Sequence, residues 1–162
     1  MKGTILVCDD EPAVRFTLQE ALEDVGHAVL TAAHPDEASP QLGACDAVIT
    51  DLAMPGRDGL SLLAEARALD AELPVILLTA RGTERAAVQA MKLGAYDYLT
   101  KPFVLEELRA VAARAVEART LRRNARRSDV ERAIGKAIIG ESLTFRRLLD
   151  DARRVARRQV TV

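Results

Sequence analysis

With 162 residues, 49% of them apolar and 29% charged but only 3% aromatic, the chain has material for one domain with a proper core and a little left over. No apolar run approaches the length needed to cross a bilayer, and Met1-Lys2-Gly3-Thr4 leads straight into a strand-like run, unlike a signal peptide, so a cytoplasmic protein without a membrane partner is expected. The net charge of −1 hides an asymmetry: residues 1–103 hold 16 acidic and 8 basic side chains, and residues 104–162 hold 8 acidic and 15 basic.

The first 103 residues alternate strand and helix signals. Ile5 to Cys8 reads as a strand, and Pro12 suits the first turn of a helix whose Val14, Leu18, Ala21, Leu22 and Val25 share one face. Gly26 stops that helix. Ala28 to Ala32 reads as a second strand, Pro35 to Leu42 as a short helix that Pro40 opposes, and Ala47 to Thr50 as a third strand. Met54-Pro55-Gly56-Arg57-Asp58-Gly59 is dense in turn formers, and the helix after it is expected to bury Leu60, Leu63, Ala66 and Leu69. Pro74 opens a fourth strand, Thr83 caps a helix that Gly94 ends, and Tyr96 to Thr100 forms a fifth strand. Strands separated by helices imply a parallel sheet covered on both faces. The two cysteines, Cys8 and Cys45, adjoin strands without metal-type spacing and are expected to be buried thiols.

From Leu105 the pattern is helical, with Leu108, Val111, Ala115, Ala118 and Leu121 spaced roughly by three or four, and Arg and Ala dominate as far as Arg127. Ser128-Asp129 either ends that helix or caps another. Beyond Gly135, Ile138-Ile139-Gly140-Glu141-Ser142 precedes an amphipathic segment carrying Phe145, Leu148, Leu149, Ala152 and Val155, and Val160-Thr161-Val162 reads as the start of a strand.

Four of the strand-like runs stop at polar residues: Asp9 and Asp10 after the first, Asp51 after the third, Thr79 after the fourth and Lys101 after the fifth. Parallel strands deliver them to one carboxyl edge, where open α/β sheets bind ligands. Converging carboxylates repel one another and favour a hard divalent cation; magnesium, which takes one or two carboxylates plus phosphate oxygens, fits best. A carboxylate is also a nucleophile toward a phosphoryl group, and Asp51, at the central strand end before a loop rich in Gly and Pro, is the best placed. Lys101 can pair with phosphoryl oxygens and Thr79 can donate to them. Taken singly, each group has an ordinary role: Asp9-Asp10-Glu11 as a helix cap, Asp51 as a loop acid, Thr79 as a strand-end hydroxyl, Lys101-Pro102 as a turn, Tyr98 as half-buried core. Their coincidence at strand ends of one domain carries the argument.

In this order, Asp9-Asp10, the run Ile49-Thr50-Asp51-Leu52-Ala53-Met54-Pro55-Gly56-Arg57-Asp58-Gly59-Leu60, Leu78-Thr79-Ala80 and Lys101-Pro102-Phe103 resemble the receiver domain of two-component response regulators, over residues 4 to about 118. The resemblance implies a flavodoxin-like, doubly wound five-stranded parallel sheet in the order 2-1-3-4-5, here with a C-terminal helical extension, that takes a phosphoryl group from a sensor histidine kinase. It implies Asp51 as phosphoacceptor, Mg2+ held by Asp9, Asp10, Asp51 and the backbone carbonyl of Ala53, and Lys101 on a phosphoryl oxygen. It also implies Thr79 and Tyr98 as the switch pair and a cis bond before Pro102. The implied activity is phosphoacceptance with autocatalytic transfer and slow autodephosphorylation, not enzymatic turnover. The chain departs from the family at Ser39-Pro40, where an Ala-Leu helix usually continues.

The tail resembles the linker and opening of the ATPase domain in NtrC-type, sigma-54-dependent activators. It divides the chain into a receiver over 1–118, a helical linker over 119–136, possible as a coiled coil, and a truncated AAA+ opening over 137–162. A homodimer held partly by the 105–127 helix is expected. The sequence holds no Gly-x-x-x-x-Gly-Lys phosphate loop and no recognisable DNA-binding module, so contacts with DNA and sigma-54 RNA polymerase are expected only from parts absent from this chain. Two other classes compete. A magnesium-dependent aspartyl-phosphate phosphatase needs a general acid near its nucleophile, and two residues after Asp51 stands Ala53. A flavin binder needs a Gly-, Ser- or Thr-rich loop after the first strand, where this chain has Asp-Asp-Glu.

Overall fold

Five short apolar runs form one parallel sheet: β1 (Thr4–Cys8), β2 (Ala28–Ala32), β3 (Ala47–Asp51), β4 (Val75–Ala80) and β5 (Asp97–Lys101), in the order β2-β1-β3-β4-β5. The computed structural model describes residues 2–80 and 84–158, with side chains as far as Ile134 apart from those of Glu84, Ala86 and Ala87. The crossovers are made by α1 (Pro12–Glu23), α2 (Pro35–Ala38), α3 (Gly59–Leu69) and α4 (Glu84–Lys92), and α5 (Leu105–Arg158) follows the last strand. Gly26 and Gly94 end α1 and α4 in the left-handed region, with φ of 87° and 94°, where a side chain would be strained.

Alternation along the central strands divides the core in two. Ile5, Val7, Ile49, Ile76 and Leu78 face Leu18 and Leu22 of α1 and Leu108, Val111, Ala112, Ala115 and Val116 of α5. Leu6, Cys8, Val48, Val75 and Leu77 face Leu62, Leu63 and Ala66 of α3, with Ala38 and Leu42 beside them. β1, β3 and β4 are therefore buried on both sides, and the edge strands β2 and β5 only in part.

Several expectations shift. The helix expected over Pro35–Leu42 is α2 followed by a 3-10 segment, Ser39–Ala44. Pro40 has no N–H to give and its ring crowds the carbonyl four residues back, yet the tighter turn still buries Leu42. Val25 lies beyond the end of α1 and is exposed, as is Leu69, the last residue of α3; Leu62 and Leu73 are buried instead. Tyr98, expected in half-buried core, is 43% exposed, because on an edge strand it alternates with the buried Leu99.

The chain divides into two compact units, Met1–Arg122 and Arg123–Val162. In the first, the early part of the Leu105–Arg127 stripe is consumed by the sheet, since Leu108, Val111 and Ala115 are core. In the second, the described side chains, Arg123 to Ile134, are all exposed. Neither Ser128-Asp129 nor Gly135 interrupts α5, and the separate helix expected beyond Gly135 merges with it. Glycine inside a helix costs only about 1 kcal/mol relative to alanine, and no proline follows Pro102. Thr83, Val160, Thr161 and Val162 lie outside the described residues, as do the side chains of Phe145, Leu148, Leu149, Ala152 and Val155.

Candidate functional site

Parallel register sets Cys8 against Thr50, Asp51 against Leu78, Thr79 against Thr100 and Ala80 against Lys101. Asp9, one residue past β1, therefore stands beside Asp51, Thr79 and Lys101 on four adjacent strands of the carboxyl edge. Lys101 Nζ donates to Asp9 Oδ2 at 2.8 Å and to Asp51 Oδ2 at 2.9 Å, and lies 3.8 Å from Glu11 Oε1. Asp9 is fully buried and Asp51 is 7% exposed. Burial opposes the ammonium charge, but the bonds to Asp9 and Asp51 outweigh it and raise the Lys101 pKa above its ordinary value.

Carboxylate oxygens of Asp9, Asp10 and Asp51 all lie within 4.8 Å of one another, with Asp10 exposed at the mouth. Three acids against one ammonium leave an excess of negative charge on hard oxygen donors, which is the donor set that suits Mg2+. The supports are local. Asp9 Oδ1 accepts from the Glu11 N–H at 2.9 Å, and its carbonyl accepts from Arg15 Nη1 at 2.6 Å. Asp51 Oδ1 accepts from the Ala53 N–H at 3.3 Å. Gly59 lets α3 begin against the end of β3, since a Cβ there would fall 2.1 Å from the Asp51 carbonyl oxygen. Asp58 then caps α3 by accepting from the Ser61 N–H at 2.9 Å.

Thr79 is on the same edge and buried, and its hydroxyl donates to the Leu99 carbonyl at 3.5 Å. The Lys101–Pro102 peptide is cis. Cys8 neighbours the site without serving it: burial pushes its thiol up to about 11, and that of Cys45 to about 12, so neither is a nucleophile near neutral pH. Sequence reasoning did not single out Arg15, or the pair His34 and Arg57 that flanks the loop after Asp51. Their partners are a backbone carbonyl or residues far along the chain, which leave no periodic trace.

Among the described residues no helix is long and apolar enough to cross a membrane. Residues 5–113 match the family described as response regulator receiver domain. The C4-dicarboxylate transport transcriptional regulatory protein DctD of Rhizobium meliloti (strain 1021) is 38% identical over 164 residues, which is 98% of this chain and 36% of DctD. The transcriptional regulatory protein FixJ of Azorhizobium caulinodans is 39% identical over 148 residues, 89% of this chain and 68% of FixJ. Among solved structures, NtrX from Brucella abortus in complex with ADP matches with a TM-score of 0.73 at 38% identity, covering 77% of this chain and 29% of NtrX. A response regulator receiver domain protein from Clostridium thermocellum gives 0.69 at 34%, covering 73% of this chain and 97% of its own. The chain thus spans about a third of the length of DctD. A family match over most of the sheet unit, on a five-stranded fold in the order 2-1-3-4-5 with three acids and a lysine at its carboxyl edge, makes this chain a member of the response regulator receiver domain family.

Proposed function

We propose that Asp51 accepts a phosphoryl group from a histidine of a sensor kinase and that the chain is the phosphorylation-controlled input module of a transcriptional activator. The observation that carries this is the Asp51 carboxylate at the end of a central strand, bridged by Lys101 to Asp9 at 2.9 and 2.8 Å. An Asp51 oxygen attacks phosphorus in line while the bond from phosphorus to the imidazole nitrogen breaks, leaving an aspartyl phosphate. Asp9, Asp10, Asp51 and the Ala53 carbonyl would hold Mg2+, which when bound supplies positive charge opposite the phosphoryl oxygens. Lys101 gives up its share of Asp51 for a phosphoryl oxygen. Thr79 turns its hydroxyl from the Leu99 carbonyl toward the phosphoryl group, and the exposed Tyr98 ring moves inward behind it, which shifts a two-state population.

Membership of the family and the relatives' names support a regulatory role in transcription. The proposal includes a cytoplasmic location, the NtrC-type partition into receiver (1–118), linker (119–136) and AAA+ opening (137–162), and contacts with DNA and sigma-54 RNA polymerase through parts outside this chain. It includes a homodimer held partly by the 105–127 helix, where Leu121 offers an exposed apolar side chain. Incubation with acetyl phosphate and Mg2+, followed by intact mass, tests the reading. One stoichiometric addition is expected, and none in Asp51→Asn, whose amide is a poor nucleophile. Undiminished addition in that variant would place the acceptor elsewhere, and turnover of the phosphodonor would make the protein a phosphatase.

A further inference from the structure

The loop after Asp51 is tied down by two side chains that take no part in the charge cluster. His34, between β2 and α2, brings Nε2 to 2.9 Å from the carbonyl oxygen of Pro55. A carbonyl oxygen only accepts, so Nε2 carries the proton, while Nδ1 lies 3.3 Å from both the Asp36 N–H, from which the neutral ring accepts, and Asp36 Oδ2. One tautomer of one ring thus caps α2 and clasps the loop. Two residues further on, Arg57 donates to Asp36 Oδ1 at 2.8 Å and to Glu65 Oε2 of α3 at 2.6 Å, and Ser39 Oγ donates to that same Glu65 oxygen at 2.7 Å. Pro55 to Arg57 is held from α2 on one side and α3 on the other.

Arg57, Asp36 and Glu65 are each more than a third exposed, and such pairs add little to global stability. Their consequence falls on the loop itself, which includes Ala53, the amide donor to Asp51. A loop ordered in advance does not lose its conformational freedom when a ligand arrives. We infer that His34, supported by Arg57, is a positioning residue that holds the loop after Asp51 in the conformation that receives the divalent cation, an inference that rests on the phosphoacceptor reading above.

Two substitutions divide the ring's two bonds. In His34→Gln the amide nitrogen takes the place of Nε2 and still reaches the Pro55 carbonyl; in His34→Asn the amide oxygen takes the place of Nδ1 and keeps only the cap on Asp36. In the whole chain without added cation, His34→Asn is expected to speed amide exchange over residues 52–58, and in calorimetric titration to weaken Mg2+ binding about fivefold, the weight of one net hydrogen bond. His34→Gln restores both, and the melting temperature without cation changes little in either. Parent-like exchange and affinity in His34→Asn overturn the inference, as does an equal loss in the two variants. The unsubstituted chain separates the two readings: absence of both Mg2+ binding and phosphoryl addition there defeats the phosphoacceptor site, while the exchange measurement still decides whether His34 holds the loop.

Discussion

The two edges of the sheet carry the same kinds of charge in opposite arrangements. At the carboxyl edge Asp9, Asp10 and Asp51 cluster, two of the three are buried, and Asp9 and Asp51 share the Lys101 ammonium. At the amino edge three aspartates each pair with a guanidinium of α5. Arg109 pairs with Asp24 after α1 at 3.2 Å, Arg114 with Asp97 opening β5 at 3.5 Å, and Arg119 with Asp70 after α3 at 2.6 Å. Balanced pairs near solvent fasten a helix to a sheet. Buried carboxylates left in excess are costly to the fold and are retained where a ligand of opposite charge, or a group to be transferred, completes them.

The contrast is broken most severely by Gly59→Ala. The added Cβ would lie 2.1 Å from the Asp51 carbonyl oxygen and 3.1 Å from Leu52 Cα, both backbone atoms, so the start of α3 has to move away from β3. A loss of about 3 kcal/mol in urea unfolding is expected, at the upper end for overpacking, with phosphoryl acceptance lost alongside. An unchanged unfolding midpoint would show that the connection has room to relax.

Lys101→Met removes the ammonium that bridges Asp9 and Asp51. Breaking a buried pair costs about 3–5 kcal/mol, and the 20% exposure of the lysine side chain lowers the expectation, to about 2 kcal/mol without Mg2+. Saturating Mg2+ should recover most of the melting temperature, because it meets the same two carboxylates. A variant that is destabilised and gains no more from Mg2+ than the parent would mean that the acids are not the cation's ligands.

At the amino edge the same operation should cost less and should grade with burial. The Arg119–Asp70 side chains are 11% and 27% exposed, those of Arg114–Asp97 are 59% and 35%. Arg119→Ala is expected to lose about 1 kcal/mol and Arg114→Ala less than about 0.5, with no change in phosphoryl acceptance for either. Equal losses would mean that packing of the arginine stems, not the ion pairs, holds α5 in place.

The carboxyl edge was legible in the sequence because β1, β3, β4 and β5 are short apolar runs and each ends in, or is followed by, a residue out of keeping with it. Asp51 and Lys101 lie fifty positions apart, and only the rule that parallel strands share an edge joins them. The details that were not legible depend on tertiary context. Tyr98 follows the pattern of a core aromatic and is exposed because β5 is an edge strand; Leu69 continues a helical stripe that α3 does not extend far enough to bury. Gly59 reads as a turn former, yet its indispensable property is a close approach to the carbonyl at the end of β3. His34 and Pro55 are 21 residues apart with no pattern linking them, and the alanine and arginine of α5 have high helix propensity throughout, so no local signal marks where one function of that helix gives way to the next.

The smallest effect near neutral pH belongs to His27, on the amino edge. It is 6% exposed, and its Nδ1 accepts from the Gly3 N–H at 3.2 Å. Burial lowers its pKa below the ordinary 6.5. The unfolded chain therefore takes up the proton first. Above pH 6.5 both states are neutral and nothing is lost; as the pH falls from there through the lowered folded-state value, stability declines. Asp36 and Glu65, held low by hydrogen bonds from Arg57, begin to withdraw their own contributions only below about 3.8 and 4.5, beneath the interval from pH 6.5 to 5. In His27→Gln the side-chain carbonyl can still accept from Gly3 but cannot be protonated. Urea unfolding across that interval should show the parent losing stability and the variant holding level, and parallel declines would mean that the proton is taken up elsewhere.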